Sequence, residues 1–333
     1  MAAPPPQLID PFQRRLNYLR ISVTDRCNLR CTYCMPRSGV PKLDHAEILR
    51  YEEILRLAHI GVGLGITKIR LTGGEPLVRK GILEFLPRLA AIQGLRDLSL
   101  TTNGILLGQN LEKIRAAGIR RINVSLDTLV AEKYARITGV DGFHRVWEAL
   151  MEARETGFSP IKVNVVVMKG INSDEIPAFA ALSRKEPFHI RFIEYMPMGC
   201  MGMNQSRRFV PTERIKERLK ELGPLIPVPR GPDDGPSERF RFPGARGEVG
   251  FISPVSHHFC RSCNRLRLTA SGHLRPCLLS DRQLDLKGPL RRGATDRELA
   301  EIFKKAALKK PFEHTLRTHP GQGPRALMSS IGG

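Results

Sequence analysis

Cys27, Cys31 and Cys34 fall within eight residues, Cys27-Asn28-Leu29-Arg30-Cys31-Thr32-Tyr33-Cys34. Cys260, Cys263 and Cys277 form a second trio, and Cys200 stands apart. Thiolates are soft ligands, so three in one short loop point to iron or zinc chemistry. Three cysteines can bind three corners of a cubane iron–sulfur cluster and leave one iron open to an outside ligand. A structural zinc site takes four protein ligands, which the first trio reaches only with a distant histidine. For the second trio, a cluster and a zinc site completed by His257, His258 or His273 are both open on spacing alone. Cys200 receives no ligand role.

Arg261, Arg265, Arg267 and Arg275 stand among the second trio. Arg265 and Arg267, two apart on a strand, share a face. Two guanidiniums on one face suit a polyphosphate, and a solvated basic strand is the plain alternative. The whole chain of 333 residues has 53 Lys+Arg against 33 Asp+Glu, a net charge of +20. Residues 201–333 hold +12 of it. Such an excess implies an anionic partner, or merely a solubilising surface. A composition of 41% hydrophobic and 26% charged residues excludes wholesale disorder. No apolar run reaches the roughly 18 residues that span a bilayer, and Met1 to Pro6 lack a secretory pattern. The expectation is a cytoplasmic protein without membrane contact.

Elements must hold these residues in place. Tyr18 to Val23, Thr67 to Leu71, Asp97 to Thr101, Arg121 to Leu126, Ile161 to Val167 and His189 to Glu194 read as strands covered on both faces. Helical periods fill the gaps: Glu47–Ile60, Ile82–Ile92, Asn110–Ala117, Phe143–Glu155 and Ile176–Leu182. Gly61, Gly94, Gly118 and Gly157 mark helix ends. Strand–helix alternation implies parallel strands, in an open doubly wound sheet or an incomplete barrel. Either fold puts ligands at the carboxyl ends of the strands. After Gly199 the pattern changes. Residues 223–247 are rich in turn signals, short strands follow at Val249–Ile252 and Leu266–Thr269, and Ser271-Gly272 suits a hairpin turn. A last helix covers Asp296–Leu308, with Lys304, Lys305, Lys309 and Lys310 complementing its dipole. This divides the chain into a flexible leader (1–10), a βα domain (11–222) and a C-terminal domain (223–333) ending in a flexible tail.

The strand ends carry further groups. Thr72-Gly73-Gly74-Glu75-Pro76 closes the second strand, where two glycines permit close backbone approach and Glu75 offers a carboxylate to an ammonium. Ser125 and Asp127 close the fourth strand and can hold a ribose or a carboxylate. Met196 follows the sixth, and its thioether can pack on a base. Ser125 and Met196 are, taken singly, ordinary packing residues.

With the first cysteine trio directly after a first strand, these features resemble the radical S-adenosylmethionine (SAM) superfamily. Within it, the chain is similar to the GTP 3′,8-cyclase branch, which belongs to molybdenum cofactor biosynthesis. The likeness lies in Thr24 to Asn28 and on through Met35-Pro36, in Arg70 to Pro76, and in Thr101-Thr102-Asn103-Gly104. It continues in Arg121 to Thr128, Arg191 to Tyr195, and Asn264 to Thr269 between Cys263 and Cys277. It covers residues 10–333, apart from the loop at 231–246.

The resemblance implies an incomplete (βα)6 barrel closed by a smaller C-terminal α+β domain. It implies two 4Fe–4S clusters, on Cys27, Cys31 and Cys34 and on Cys260, Cys263 and Cys277. SAM would meet Tyr33, Gly74, Ser125 and Met196, with Gly73, Glu75 and Asp127 as further contacts. GTP would meet Arg20, Arg70, Thr101, Lys162, Arg265, Leu266 and Arg267. The terminal Gly332 and Gly333, otherwise a frayed end, would reach the active site and assist GTP or product handling. The implied partners are GTP, an external electron donor and a downstream cyclic pyranopterin monophosphate synthase. A homodimer is a further implied assembly, and a stable nucleic-acid complex is not expected. Two other radical SAM readings remain, an RNA-modifying enzyme and a peptide-maturing one. The first needs aromatic stacking platforms, against one Trp and five Tyr; the second usually needs more C-terminal cysteines. A zinc-binding nucleic-acid adaptor is the non-enzymatic reading, and it leaves the Gly-Gly-Glu-Pro turn unexplained.

Overall fold

In the computed structural model, residues 7–196, 198, 207–231, 234–314, 324, 326 and 328–332 are described. Met1 to Pro6, Cys200 and Gly333 lie outside the described residues. The elements run β1 (Tyr18–Ser22), α1 (Tyr51–Gly63), β2 (Lys68–Thr72), α2 (Ile82–Ala90), β3 (Asp97–Thr102), α3 (Leu111–Ala116), β4 (Arg121–Ser125), α4 (Ala131–Thr138) and α5 (Phe143–Glu155). They continue with β5 (Ile161–Val167), α6 (Ile176–Lys185), β6 (Phe188–Glu194), α7 (Thr212–Arg218), β7 (Ile226–Pro227), β8 (Glu238–Arg241) and β9 (Glu248–Ile252). Last come β10 (Arg265–Leu268), β11 (His273–Arg275), β12 (Leu284–Asp285), α8 (Lys287–Arg291), α9 (Asp296–Leu308) and α10 (Met328–Ile331).

All twelve strands join one sheet, in the order β12-β11-β10-β1-β2-β3-β4-β5-β6-β9-β8-β7. β1 to β6 pair in parallel, in chain order, as the strand–helix alternation predicts. The region after residue 223 supplies both edges. β9 pairs in parallel with β6, and β10 pairs in parallel with β1. Hairpin partners then finish each edge in antiparallel pairing.

The strands alternate more sharply than a doubly covered sheet requires. Ile21, Leu71, Leu100, Val124, Val163 and Phe192 face the helices in the main core, with Leu57, Phe85, Ile114, Leu150 and Phe179. The other face is polar and surrounds a cavity. Period-2 geometry thus gives an apolar outside and a polar inside, as expected of a barrel wall. α9 begins as its sequence suggests, with a Thr295/Glu298 capping box.

Four expectations need correction. Gly61 lies inside α1, buried against Ile66 and Phe303, rather than at a helix end; Gly94, Gly118 and Gly157 do adopt positive φ. The described part of the leader is packed: Leu8 is buried in the core, and Asp10 pairs with Arg14 at 2.5 Å. The tail is also packed where described, because Ile331 buries beside Met198 and Leu279. Lys310 is buried and donates to the carbonyls of Arg265 and Pro276, so it ties loops together rather than serving a helix dipole. α4 and α7 have no counterpart among the expected helices. No helix among the described residues is long and apolar enough to cross a membrane.

Candidate active site

The polar face of the sheet encloses a cavity of about 310 Å³. Both cysteine trios line it. They approach from opposite ends. Cys27, Cys31 and Cys34 follow β1 at the carboxyl ends of the strands. Cys263 precedes β10, whose first residue pairs with Tyr18 at the start of β1. Five strand residues, at about 3.3 Å each, place the two trios about 16 Å or more apart. Only the first trio therefore obeys the carboxyl-end rule; the second reaches the amino ends because β10 runs parallel to β1.

The first trio is held by backbone turns, Cys34 N to Cys31 O and Met35 N to Cys31 O. Leu29 N donates to Cys27 Sγ at 3.4 Å and Asn103 Nδ2 at 3.8 Å. Burial pushes the Cys27 thiol up and the Cys31 thiol well up. In the second trio, burial likewise raises Cys260. At Cys263 burial acts upward too, but Arg265 and Lys310 outweigh it and bring the thiol to about 6. Among the described residues no three His, Cys, Asp or Glu side chains converge to hold a single metal ion. His257 pairs with Glu213 and His258 with Glu313, so each imidazole already has a carboxylate partner. A mononuclear zinc needs such convergence, whereas a cubane takes one thiolate per iron. Three soft thiolates per loop, one per iron, are the donor set of a cubane with one iron open.

The Gly73-Gly74 turn presses on the start of the first cysteine loop. A Cβ on Gly74 would lie 2.3 Å from Arg26 O, and one on Gly73 2.7 Å from Thr24 O. Gly74 N and Glu75 N donate to Thr24 O and Arg26 O. Glu75 is buried, and burial raises its carboxyl to about 7. It accepts from Leu77 N, Asn103 N and Thr102 Oγ1, so it locks the turn to the end of β3. Asp127 is raised to about 6 by burial and accepts from Tyr33 Oη at 2.7 Å and Val166 N. Glu75, Asp127, Tyr33, Gly73, Gly74, Ser125 and Met196 all border the cavity.

Between the trios lies a band of cations. Arg267, Arg20 and Arg70 are direct cross-strand neighbours on β10, β1 and β2. Adjacent like charges on one face are unfavourable unless an anion sits among them. Burial lowers Arg20 to about 10 and holds Arg267 well below the ordinary guanidinium range. Lys162 falls to about 6 through burial, then through Arg191 and Arg70. Arg265 and Thr101 also line the cavity, and the Thr101 hydroxyl is buried with no hydrogen-bond partner among the described residues. Leu266 is different. Its side chain is in the apolar core, so only its main chain can serve a ligand. Arg261 and Arg275 do not line the cavity. Gly332 has φ +81 and packs against Thr72 and Ser22.

Sequence reading missed Arg191, Lys68, Arg121 and Tyr18 as cavity residues. The signal was present: each is an inward position on a strand already recognised. Lys68 and Arg121 share the Asp97 carboxylate at 2.9 and 2.5 Å. Arg191 is lowered to about 9 by burial and then by Arg70.

Residues 21–182 match the radical SAM superfamily model, and residues 188–316 match the model described as molybdenum cofactor synthesis C. GTP 3′,8-cyclase of Moorella thermoacetica is 53% identical over 97% of this chain and 99% of its own. GTP 3′,8-cyclase of Thermodesulfovibrio yellowstonii is 51% identical over 97% and 99%. The fold resembles Streptococcus suis SuiB, with a TM-score of 0.61 at 14% identity over 92% of this chain and 69% of that one. Identity at this level over nearly the full length is decisive for kinship, and the chain belongs to the GTP 3′,8-cyclase family of the radical SAM superfamily.

Proposed function

We propose that the protein is a GTP 3′,8-cyclase that performs the first step of molybdenum cofactor biosynthesis. The observation that carries this reading is a single cavity with a cysteine trio at each end and converging cations between. When bound, the first cluster with SAM and one electron from the external donor would supply a 5′-deoxyadenosyl radical; the net change in GTP is loss of the 3′ hydrogen to that radical, a new bond from C3′ to guanine C8, and gain of one further electron and one proton, giving 3′,8-cyclo-7,8-dihydro-GTP. The chain itself binds and orients. Cys27, Cys31 and Cys34 hold the first cluster, and Tyr33, Gly74, Ser125 and Met196 contact SAM, with Gly73, Glu75 and Asp127 around them. Cys260, Cys263 and Cys277 hold the second cluster at the guanine end.

Arg20, Arg70, Thr101, Lys162, Arg265 and Arg267 take the substrate, with the Leu266 main chain beside them. The cations face one cavity on the inner side of the sheet, where attraction for a triphosphate is stronger than in bulk water. Gly332 and Gly333 assist at the same site. The barrel (11–222) thus serves SAM and lends Arg20, Arg70, Thr101 and Lys162 to GTP, and the C-terminal part (223–333) serves the second cluster and the rest of the GTP site. An external electron donor and a downstream cyclic pyranopterin monophosphate synthase complete the reaction sequence, with a homodimer as the assembly. We place the enzyme in the cytoplasm, where thiols stay reduced.

Anaerobic reconstitution tests the reading: two cubanes predict about eight irons per chain. With SAM, reductant and GTP, 5′-deoxyadenosine should form in step with cyclised product. Formation indifferent to GTP over other nucleotides would remove the substrate assignment. Replacing Cys260 should spare SAM binding and abolish cyclisation.

A further inference from the structure

Tyr18 opens β1 and is buried, yet its side chain borders the cavity. Its hydroxyl is buried, and among the described residues no group hydrogen-bonds it. An orphaned buried hydroxyl costs free energy unless something fills the role of partner. Its surroundings show what that partner would be. The Lys68 ammonium lies 5.2 Å from the ring centroid and the Arg70 guanidinium 5.6 Å. Arg20 is two residues on along the same face, and Arg265 is the cross-strand neighbour on β10. Burial opposes ionisation of the phenol, but Arg70, Arg20, Lys68 and Arg265 together outweigh it and lower its pKa.

The cationic band therefore has a polar group at its centre that no described protein atom uses. The carboxylates around it leave the cage positive: Asp97 is shared between Lys68 and Arg121, and Asp234 pairs with Arg239. An anion drawn in by these four cations would meet the Tyr18 hydroxyl. A phosphate oxygen accepts from an O–H donor and satisfies it. A base or a ribose would not be drawn there by charge.

We infer that the Tyr18 hydroxyl is a substrate-binding donor that hydrogen-bonds the phosphate chain of the nucleotide, within the cage made by Arg20, Lys68, Arg70 and Arg265. This rests on the GTP reading above and adds a residue to it. Phenylalanine keeps the ring over Lys68 and Arg70 and removes only the hydroxyl.

The test is equilibrium dialysis of the reconstituted holoenzyme and its Tyr18→Phe variant with GTP, GDP and guanosine, with SAM affinity measured alongside. Tyr18→Phe should weaken GTP and GDP about tenfold, the size of one hydrogen bond to a charged group. Guanosine and SAM affinities should stay at the wild-type level. Unchanged GTP affinity would overturn the inference, and so would an equal loss on GTP and guanosine. If the wild type itself binds guanosine as tightly as GTP, the triphosphate reading falls and the inference falls with it. Discrimination by the wild type with no loss in the variant removes Tyr18 alone.

Discussion

Arg267 donates from Nη1 to the carbonyl of Gly332 at 2.7 Å, a buried hydrogen bond across 65 residues of sequence. The chain end is thus attached to a guanidinium of the cavity wall. Gly332 fits because φ is +81 and a Cβ would lie 2.3 Å from Thr72 Oγ1 and 2.9 Å from Ser22 Cβ. A left-handed residue in that space has to be glycine.

Removing Gly332 and Gly333 therefore frees Arg267 and should cut cyclisation at least tenfold while SAM binding persists. Gly332→Ala should act in the same direction, since the alanine clashes with Thr72. A truncated protein that cyclises GTP at the full rate would remove the tail from the mechanism.

Lys162 gives a proton-linked expectation. Burial, and then Arg191, Arg70, Lys68 and Arg121, bring it to about 6. It is largely neutral in the ligand-free protein above that pH. A bound triphosphate restores the charge, so GTP binding at pH 7.5 should take up a proton. Calorimetry in two buffers of different ionisation enthalpy measures it, and identical heats would contradict it. The sign for stability follows. The unfolded chain keeps this proton up to the ordinary lysine range, near 10.4, while the native chain releases it near 6. Native stability should rise with pH across that window. Lys162→Met should raise the melting temperature of the ligand-free protein and weaken GTP binding.

Gly74→Ala should cost about 1–3 kcal/mol of stability, because the new methyl meets the Arg26 carbonyl, which is backbone and cannot swing aside. The displaced turn shifts the loop of Cys27, so SAM affinity should fall with it. Chemical denaturation and SAM binding on one preparation check both. Full SAM affinity in the variant would separate the turn from the cofactor site.

Glu194 tests how the second trio is held. It is fully buried at the end of β6. It accepts from Thr212 N and Oγ1 and from Val255 N, Ser256 N and Ser256 Oγ. Val255 and Ser256 lead straight into Cys260. Glu194→Ala leaves several donors unpaired and should destabilise by about 3 kcal/mol. Iron should fall from about eight toward about four per chain, with the SAM-binding cluster retained. Equal loss of both clusters would show a global effect instead.

The six central strands were legible without any fold, since each is a short run rich in Val, Ile and Leu with a polar or glycine-containing end; that only one face is apolar was not. Phe143–Glu155 and Asp296–Leu308 begin and end where their periods do. The cysteine spacings announced metal chemistry in the same way, because three thiolates in a short loop have few other uses. α4 was not legible, since its buried side is only Tyr134, Ile137 and Thr138, though Gly139 caps it with positive φ. Nor was the buried role of Lys310, which depends on carbonyls from distant loops.

The placement of β10 beside β1 belongs to long-range packing alone. That pairing joins Tyr18 to Arg265 and Arg20 to Arg267, residues about 247 positions apart. Local propensity says nothing about such a partner. Register is set by burying Leu266 and Leu268 on the helix side, which turns Arg265 and Arg267 inward. The same choice brings the second cysteine trio to the amino ends of the strands. The charges and the thiols could be read from the residues in order. Strand order and register, settled by burial of the opposite face, placed them around one cavity.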